Sequence, residues 1–170
     1  MMDAAPLSAV LSVDELFAIH EKPARALWRT PFSADDHYDL SWDSTLFSAT
    51  PPRERYFSAS LGDVEVSRVL IVETDSERIS PAFHLPLISP TVTEIEWLEV
   101  ARGHRRRGIG MAEVRRLEQI FATDHLIAFG AIEAEEFWDA TGWRRFERDD
   151  RRLSSVQRPL HMRVPRPPDE

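Results

Sequence analysis

A predicted strand, a basic glycine-containing loop and a predicted helix follow one another between Thr93 and Thr123. The strand is indicated by the run from 93 to 100, in which apolar residues are interspersed with glutamates. The helix is indicated by apolar residues at helical spacing, Val114, Leu117 and Phe121. Helix N-termini expose amides without internal partners, and glycines let a backbone come close to a ligand. This order therefore predicts an anion-binding loop.

The loop between strand and helix, residues 102–110, narrows the kind of anion. A P-loop needs Lys and Ser or Thr after its second glycine, where this chain has Met111 and Ala112. The dinucleotide fingerprint G-x-G-x-x-G also fails, because Glu113 stands where its third glycine belongs. What remains is an R-x-x-G-x-G pattern, formed by Arg105, Gly108 and Gly110.

A second motif lies downstream of this loop. The run from His125 to Ile132 predicts a strand, and residues 134–143 predict a helix and its end. The loop pattern and the segment from Trp138 to Trp143 resemble the two signature motifs of the GNAT superfamily of acetyltransferases, in that family's order and spacing. The resemblance covers Glu94 to Phe146. It implies an α/β (α+β) fold with a central mixed, mostly antiparallel sheet, flanked by helices and with strands that diverge at the cofactor site.

The resemblance also implies a co-substrate, acetyl-CoA. The pantetheine arm would pair with backbone groups of Leu98, Glu99 and Val100. The diphosphate would lie on the amides of the loop, with side-chain contacts from its arginines. The loop residues implied are Arg105, Arg106, Arg107, Gly108, Ile109 and Gly110. Trp138 stands where the family's usual tyrosine protonates the departing thiolate, and an indole N–H is far too weak an acid for that role.

Two glutamates are candidates for the catalytic base that deprotonates the amine. Strand periodicity places Glu94 and Glu96 on one side of the predicted strand and Glu99 on the other. Acid on this strand serves as base in several branches of the family. Glutamates on an exposed strand face are common in any sheet protein, so a purely solvated pair is the alternative. The histidines show no metal-ligand spacing, and no metal site is predicted.

Composition limits the class of protein. The chain has 170 residues, of which 42% are hydrophobic and 29% charged, which predicts one soluble domain over 1–170 with flexible tails at 1–11 and 165–170. The absence of cysteine excludes disulfides and thiolate chemistry. No apolar run is long enough to cross a bilayer, so we expect a cytoplasmic protein without a membrane partner. The net charge of -8 argues against nucleic acid as a partner.

The charge is concentrated in one half of the chain. Residues 1–100 carry 17 acidic and 7 basic side chains, whereas residues 101–170 carry 12 acidic and 14 basic side chains. An acidic half beside a basic cofactor loop favours a cationic substrate, although solubility alone also explains an acidic surplus.

The remaining segments give weaker predictions. A capping box at Ser12–Glu15 predicts a helix that carries Phe17 and His20, with no strand before it. Residues 30–52 predict an acidic loop, either a wall of the acceptor pocket or plain surface. Two strands, Tyr56–Ser60 and Val64–Glu73, are expected to form a hairpin. Two further expectations concern Phe83–Ile88, an edge strand or irregular segment, and a final hairpin formed by 144–148 and 156–164.

Three functions remain open on these grounds. The first is an acetyl-CoA-dependent N-acetyltransferase acting on an amine of a small molecule, peptide or protein. The second is a catalytically silent acyl-CoA-binding or regulatory module of the same fold, which the tryptophan at 138 favours. The third is an interaction protein that uses the basic loop and no cofactor. A homodimer is compatible with each of them.

Overall fold

The computed structural model describes residues 17–22, 31–42, 54–86, 89–148 and 158–163. Within these ranges the chain forms a seven-stranded sheet and three α-helices. The strands are β1 (Phe17–Lys22), β2 (Glu54–Leu61), β3 (Val64–Asp75), β4 (Thr91–Val100), β5 (Leu126–Phe129), β6 (Arg144–Phe146) and β7 (Leu160–Arg163). The helices are α1 (Ser76–Phe83), α2 (Ile109–Ile120) and α3 (Glu135–Ala140), with short 3-10 turns at Arg102–His104 and Ile132–Ala134.

The sheet has the strand order β1-β2-β3-β4-β5-β7-β6 and is antiparallel except for one pair. That pair, β4 and β5, is parallel and short, since only Thr93–Ile95 lies against Leu126–Ala128. Beyond Ile95, β4 continues to Val100 beside β3 alone, while Phe129 of β5 pairs with β7. The predicted fold class is confirmed, including strands that diverge in the middle of the sheet.

Each face of the sheet has its own layer. On one face, called here the α2 face, buried residues of α2 and α3 pack on the strands, among them Val114, Leu117 and Trp138. On the opposite face, the α1 face, α1 covers β4, β5 and β7 through Ile79 and Phe83. The segment 31–42 covers the remainder of that face with its buried aromatic residues Phe32, Tyr38 and Trp42.

The N-terminal helix prediction was wrong where it can be checked, because residues 17–22 form β1. This strand pairs antiparallel with the outer edge of β2. A six-residue apolar–polar segment fits helix and strand almost equally, and the unpaired edge of β2 decides in favour of the strand. A two-bond ion pair between Arg55 and Glu21 fastens β1 to its neighbour, with N–O distances of 2.9 and 2.8 Å.

The hairpin of β2 and β3 is confirmed, with Gly62 in the turn at φ +58°. The C-terminal hairpin is confirmed as the antiparallel pair β6–β7. In the 83–88 segment, Phe83 ends α1 and residues 84–86 are irregular, so the edge-strand alternative was wrong there. Helix α1 escaped prediction because Pro81 lies inside it. The predicted tails, the capping box, residues 43–52 of the acidic loop, residues 87–88, and 156–157 and 164 of the last hairpin lie outside the described residues.

Candidate active site

Strand β4 contains one residue more than the stretch of β3 that it pairs with. Leu70 lies opposite Trp97 and Ile71 opposite Ile95, which leaves Glu96 as a β-bulge. The bulge reverses the side-chain alternation, so Glu99 lies on the α1 face, the face on which Glu94 lies opposite Val72. The prediction that Glu99 lies across the strand from Glu94 was therefore wrong, because periodicity counts the extra residue as an ordinary one.

The divergence of β4 from β5 leaves backbone groups of β4 without a strand partner. Ala101 N donates to Val66 O on β3 at 2.9 Å. Backbone groups of successive residues point to opposite sides of a strand, so those of Glu99 also face β3. Those of Leu98 and Val100 face the gap, where Val100 O accepts a hydrogen bond from Arg105 Nε at 2.9 Å. Of the three residues predicted to pair with pantetheine, Leu98 and Val100 are thus oriented for it.

A cavity of about 670 Å³ occupies the divergence. It brings together ten of the twelve predicted site residues: Glu96, Leu98, Glu99, Val100, Arg105, Arg106, Gly108, Ile109, Gly110 and Trp138. The other two, Glu94 and Arg107, do not line it. Several further wall residues belong to no motif and were not predicted, including Leu40, Phe129, Glu133, Phe137 and Arg158. Leu40 shows that the acidic loop contributes a wall of the cavity.

The N-terminus of α2 opens into this cavity. Gly108 is its N-cap, at φ +80°, a conformation that favours glycine, and no side chain caps the helix. The first bond from this end is donated by Ala112 N to Gly108 O. The amides of Ile109, Gly110 and Met111 therefore have no helical partner and can donate to an anion. A β-carbon at Gly110 would lie 3.2 Å from the Phe137 ring, so only glycine fits without movement.

The Glu99 side chain has a role that the motif did not indicate. Its buried carboxylate accepts hydrogen bonds from Asp39 N and Leu40 N, at 2.5 and 3.1 Å, and from Trp42 Nε1 at 2.8 Å. Arg105 Nη2 also donates to it, at 3.1 Å. Glu99 thus anchors segment 31–42 on the sheet. The mixture of aromatic and acidic residues in that segment was visible in the sequence, but its contact with β4 was not.

The two candidate bases differ in burial. Glu94 is buried, and Thr74 Oγ1 donates to its carboxylate at 3.0 Å. Burial raises the pKa of Glu94 to about 8, and the neighbouring Glu96 carboxylate adds to the increase. Glu96 is exposed and lines the cavity. The two carboxylates therefore form a coupled pair, in which Glu96 faces the cavity and Glu94 lies behind it.

Trp138 is buried in an aromatic group at the end of the cavity. Its ring lies 5.0 Å from Phe137, 5.4 Å from Trp143 and 6.1 Å from the imidazole of His161, measured between centroids. The chain has two tyrosines, and neither lines the cavity. Tyr56 donates to Glu54 and Tyr38 lies beside Glu65, and burial raises the pKa of both phenols. No phenol therefore replaces the missing acid.

Within the described ranges, no group of three or more His, Asp or Glu side chains is placed to hold a metal ion. Likewise, none of the helices in the described part of the chain is long and apolar enough to cross a membrane.

Comparison with known proteins agrees with this geometry. Residues 13–143 match the model of the Acetyltransferase (GNAT) family. The chain is similar to the N-acetyltransferase YlbP of Bacillus subtilis, solved in complex with coenzyme A, with 21% identity, a TM-score of 0.51 and coverage of 65% of this chain and 67% of that one. An acetyltransferase of Thermus thermophilus has 20% identity and a TM-score of 0.48, with coverage of 66% of this chain and 64% of that one. The chain thus spans about two thirds of either relative. No curated protein matches it significantly.

Proposed function

The chain belongs to the GNAT acetyltransferase family, and on that premise we propose that it transfers an acetyl group from acetyl-CoA to an amine of a small molecule, peptide or protein. The observation that carries the proposal is the cavity where β4 and β5 diverge, which joins an uncapped helix N-terminus to unpaired strand backbone. Acidic residues in the first half of the chain favour a cationic acceptor.

Different parts of the cavity suit different parts of acetyl-CoA. The amides at the start of α2, together with Arg105 and Arg106, suit the diphosphate. The gap-facing backbone groups of Leu98 and Val100 suit the amides of the pantetheine arm. When bound, acetyl-CoA supplies an activated thioester. These residues hold and orient it, since backbone donors fixed in a strand need little reorganisation.

Acetyl transfer requires an amine with a free lone pair, so an ammonium substrate must lose a proton. In the coupled pair, the buried Glu94 holds its proton at neutral pH because its pKa is about 8. Glu96, by contrast, is exposed and lines the cavity, where an acceptor amine can reach it. We assign Glu96 as the base that accepts the amine proton, and Glu94 as the neighbour that tunes it.

The test measures thiol release from acetyl-CoA with a panel of amines. The Glu96→Gln variant should lower turnover on the order of 10²-fold, with acetyl-CoA affinity unchanged, because only the proton acceptor is lost. Glu136→Gln is the matched control, since Glu136 is an exposed glutamate of α3 that does not line the cavity. Equal turnover in Glu96→Gln and wild type would show that the base is another group.

A second candidate function is a catalytically silent acyl-CoA-binding module. The observation that favours it is Trp138, together with the absence of a tyrosine from the cavity wall. Calorimetry and the amine panel separate the two functions. Tight acetyl-CoA binding without thiol release for any amine would support the silent module.

A further inference from the structure

Two arginines of the basic loop are held by one carboxylate from a distant part of the chain. Arg105 Nη2 donates to Asp39 Oδ2 at 2.6 Å, and Arg102 Nε donates to Asp39 Oδ1 at 2.7 Å. The Asp39 side chain is half exposed, and the two guanidinium groups lower the pKa of its carboxyl, with Arg105 the larger cause. Asp39 is therefore an anion, and it is seated on the cations of the predicted diphosphate site.

The other bonds of Arg105 show that two of its three guanidinium nitrogens, Nε and Nη2, already donate to groups of the protein. Nε donates to Val100 O at 2.9 Å, and Nη2 donates to Glu99 Oε1 at 3.1 Å as well as to Asp39. Arg105 nevertheless lines the cavity. A diphosphate at the start of α2 must share this guanidinium with Asp39 or displace it.

The position of Asp39 links this ion pair to the cavity wall. The next residue, Leu40, lines the cavity, and His37 O accepts a hydrogen bond from Arg102 N at 2.9 Å. The rest of segment 31–42 is fastened elsewhere: Glu99 holds Leu40 and Trp42, and Arg68 stacks on Tyr38 at 4.1 Å from the ring centroid. Losing the ion pair of the Asp39 side chain would thus leave the segment in place, since Glu99 also accepts hydrogen bonds from Asp39 N and Leu40 N.

We propose that Asp39 is an internal competitor of the cofactor diphosphate for Arg105, so that binding of acetyl-CoA exchanges one anion for another at this guanidinium. The inference rests on the proposed function of the cavity. It makes Asp39 a positioning residue that sets cofactor affinity.

Calorimetric titration with coenzyme A tests the competition. Asp39→Asn removes the charge and keeps the shape, and we expect about three- to tenfold tighter binding of coenzyme A. Pantetheine, which lacks the diphosphate, should bind wild type and variant equally. Asp36→Asn is the control, because Asp36 is an exposed aspartate of the same segment that forms no ion pair with the described residues. Combining Asp39→Asn with Arg105→Gln should abolish the gain.

The outcomes separate this inference from the function on which it rests. Unchanged or weaker coenzyme A binding by Asp39→Asn, with its circular dichroism spectrum intact, would mean that Asp39 only braces the arginines, and would overturn the inference alone. A gain that persists in the Arg105→Gln background would overturn it too. No coenzyme A binding by the wild-type protein would overturn both the inference and the proposed function.

Discussion

At the scale of single residues, Trp138 packs in the core at the position where the resemblance to the family leads us to expect a tyrosine. Its indole is buried against Phe137, Trp143 and His161, yet it also lines the cavity. Trp138→Tyr would place a phenol, with a reference pKa of about 10, where the thiolate is expected to depart. We predict that turnover with a good amine rises about tenfold, because a phenol donates a proton and an indole does not. Steady-state kinetics at saturating acetyl-CoA measures this turnover in the variant and in wild type.

The same change also removes aromatic volume from the core. A lower free energy of unfolding, by about 1–3 kcal/mol, should accompany the gain in rate. Trp143→Tyr is the matched control, since Trp143 is equally buried but does not line the cavity. It should lose stability with no gain in rate. If Trp138→Tyr behaves in the same way, the tryptophan is a packing residue and the silent module gains support.

At the scale of elements, the sequence located β4, the loop and α2 because their signals are local. The spacing of apolar residues marks α2. The loop is marked by Gly108, because its positive φ favours glycine and the residue is therefore visible in the sequence. The bulge at Glu96 and strand β1 were missed for one physical reason. The bulge depends on how β4 pairs with β3, and β1 depends on its pairing with β2. The sequence of a short segment does not show which strand it will pair with.

The loop gives the prediction for this scale. Gly108→Val places a β-branched residue at φ +80°, which strains the backbone at the start of α2 and turns its amides away from the cavity. We expect acetyl-CoA binding to fall at least about 100-fold and stability to fall by about 1–3 kcal/mol. Calorimetry and urea unfolding measure the two effects.

A second glycine of the same loop is the control. Gly103 has no positive φ and no atom within 4 Å of an added β-carbon, so Gly103→Ala should leave affinity and stability unchanged. Retained binding in Gly108→Val would show that the start of α2 does not hold the cofactor.

At the scale of the whole molecule, the sheet brings distant segments together. Glu99 and segment 31–42 meet across about sixty residues of chain, and that contact was unpredictable from local pattern. The sequence did indicate one wall of the cavity, because one continuous stretch builds most of it. Leu40, Glu133 and Arg158 line the cavity from three separate segments without a motif.

One buried group should make the stability of the whole domain depend on pH. Glu113 of α2 is fully buried, and neither carboxyl oxygen has a hydrogen-bond partner among the described residues. Burial raises the pKa of Glu113 to about 8, whereas a glutamate in the unfolded chain has a pKa of about 4.3. Between these values the folded protein holds a proton that the unfolded chain releases. The free energy of unfolding therefore falls as pH rises from about 4.5 to 8 and then levels off.

Glu113→Gln should remove the part of this dependence that Glu113 causes, whereas buried Glu94, whose pKa is also raised, contributes equally in both proteins. Relative to wild type, we expect the variant to gain about 4 kcal/mol of stability between pH 5 and pH 8.5, measured by urea unfolding at both values. Glu77→Gln, at an exposed position of α1, should show no such gain. A difference between Glu113→Gln and wild type that is constant over this range would mean that Glu113 is already charged in the folded protein.

The bulge of β4 has a consequence for how this site tolerates change in chain length. Glu96 is the one residue of the strand's central stretch that β3 does not pair, so its side chain can be exchanged without disturbing a cross-strand neighbour. Deleting it would leave Ile95 opposite Ile71 and Trp97 opposite Leu70 in a regular ladder, so Glu99 would stay on the α1 face and keep its hold on segment 31–42. The sheet can therefore spare position 96 and the proposed reaction cannot, so deleting this one residue would remove the base while leaving the strand pairing intact.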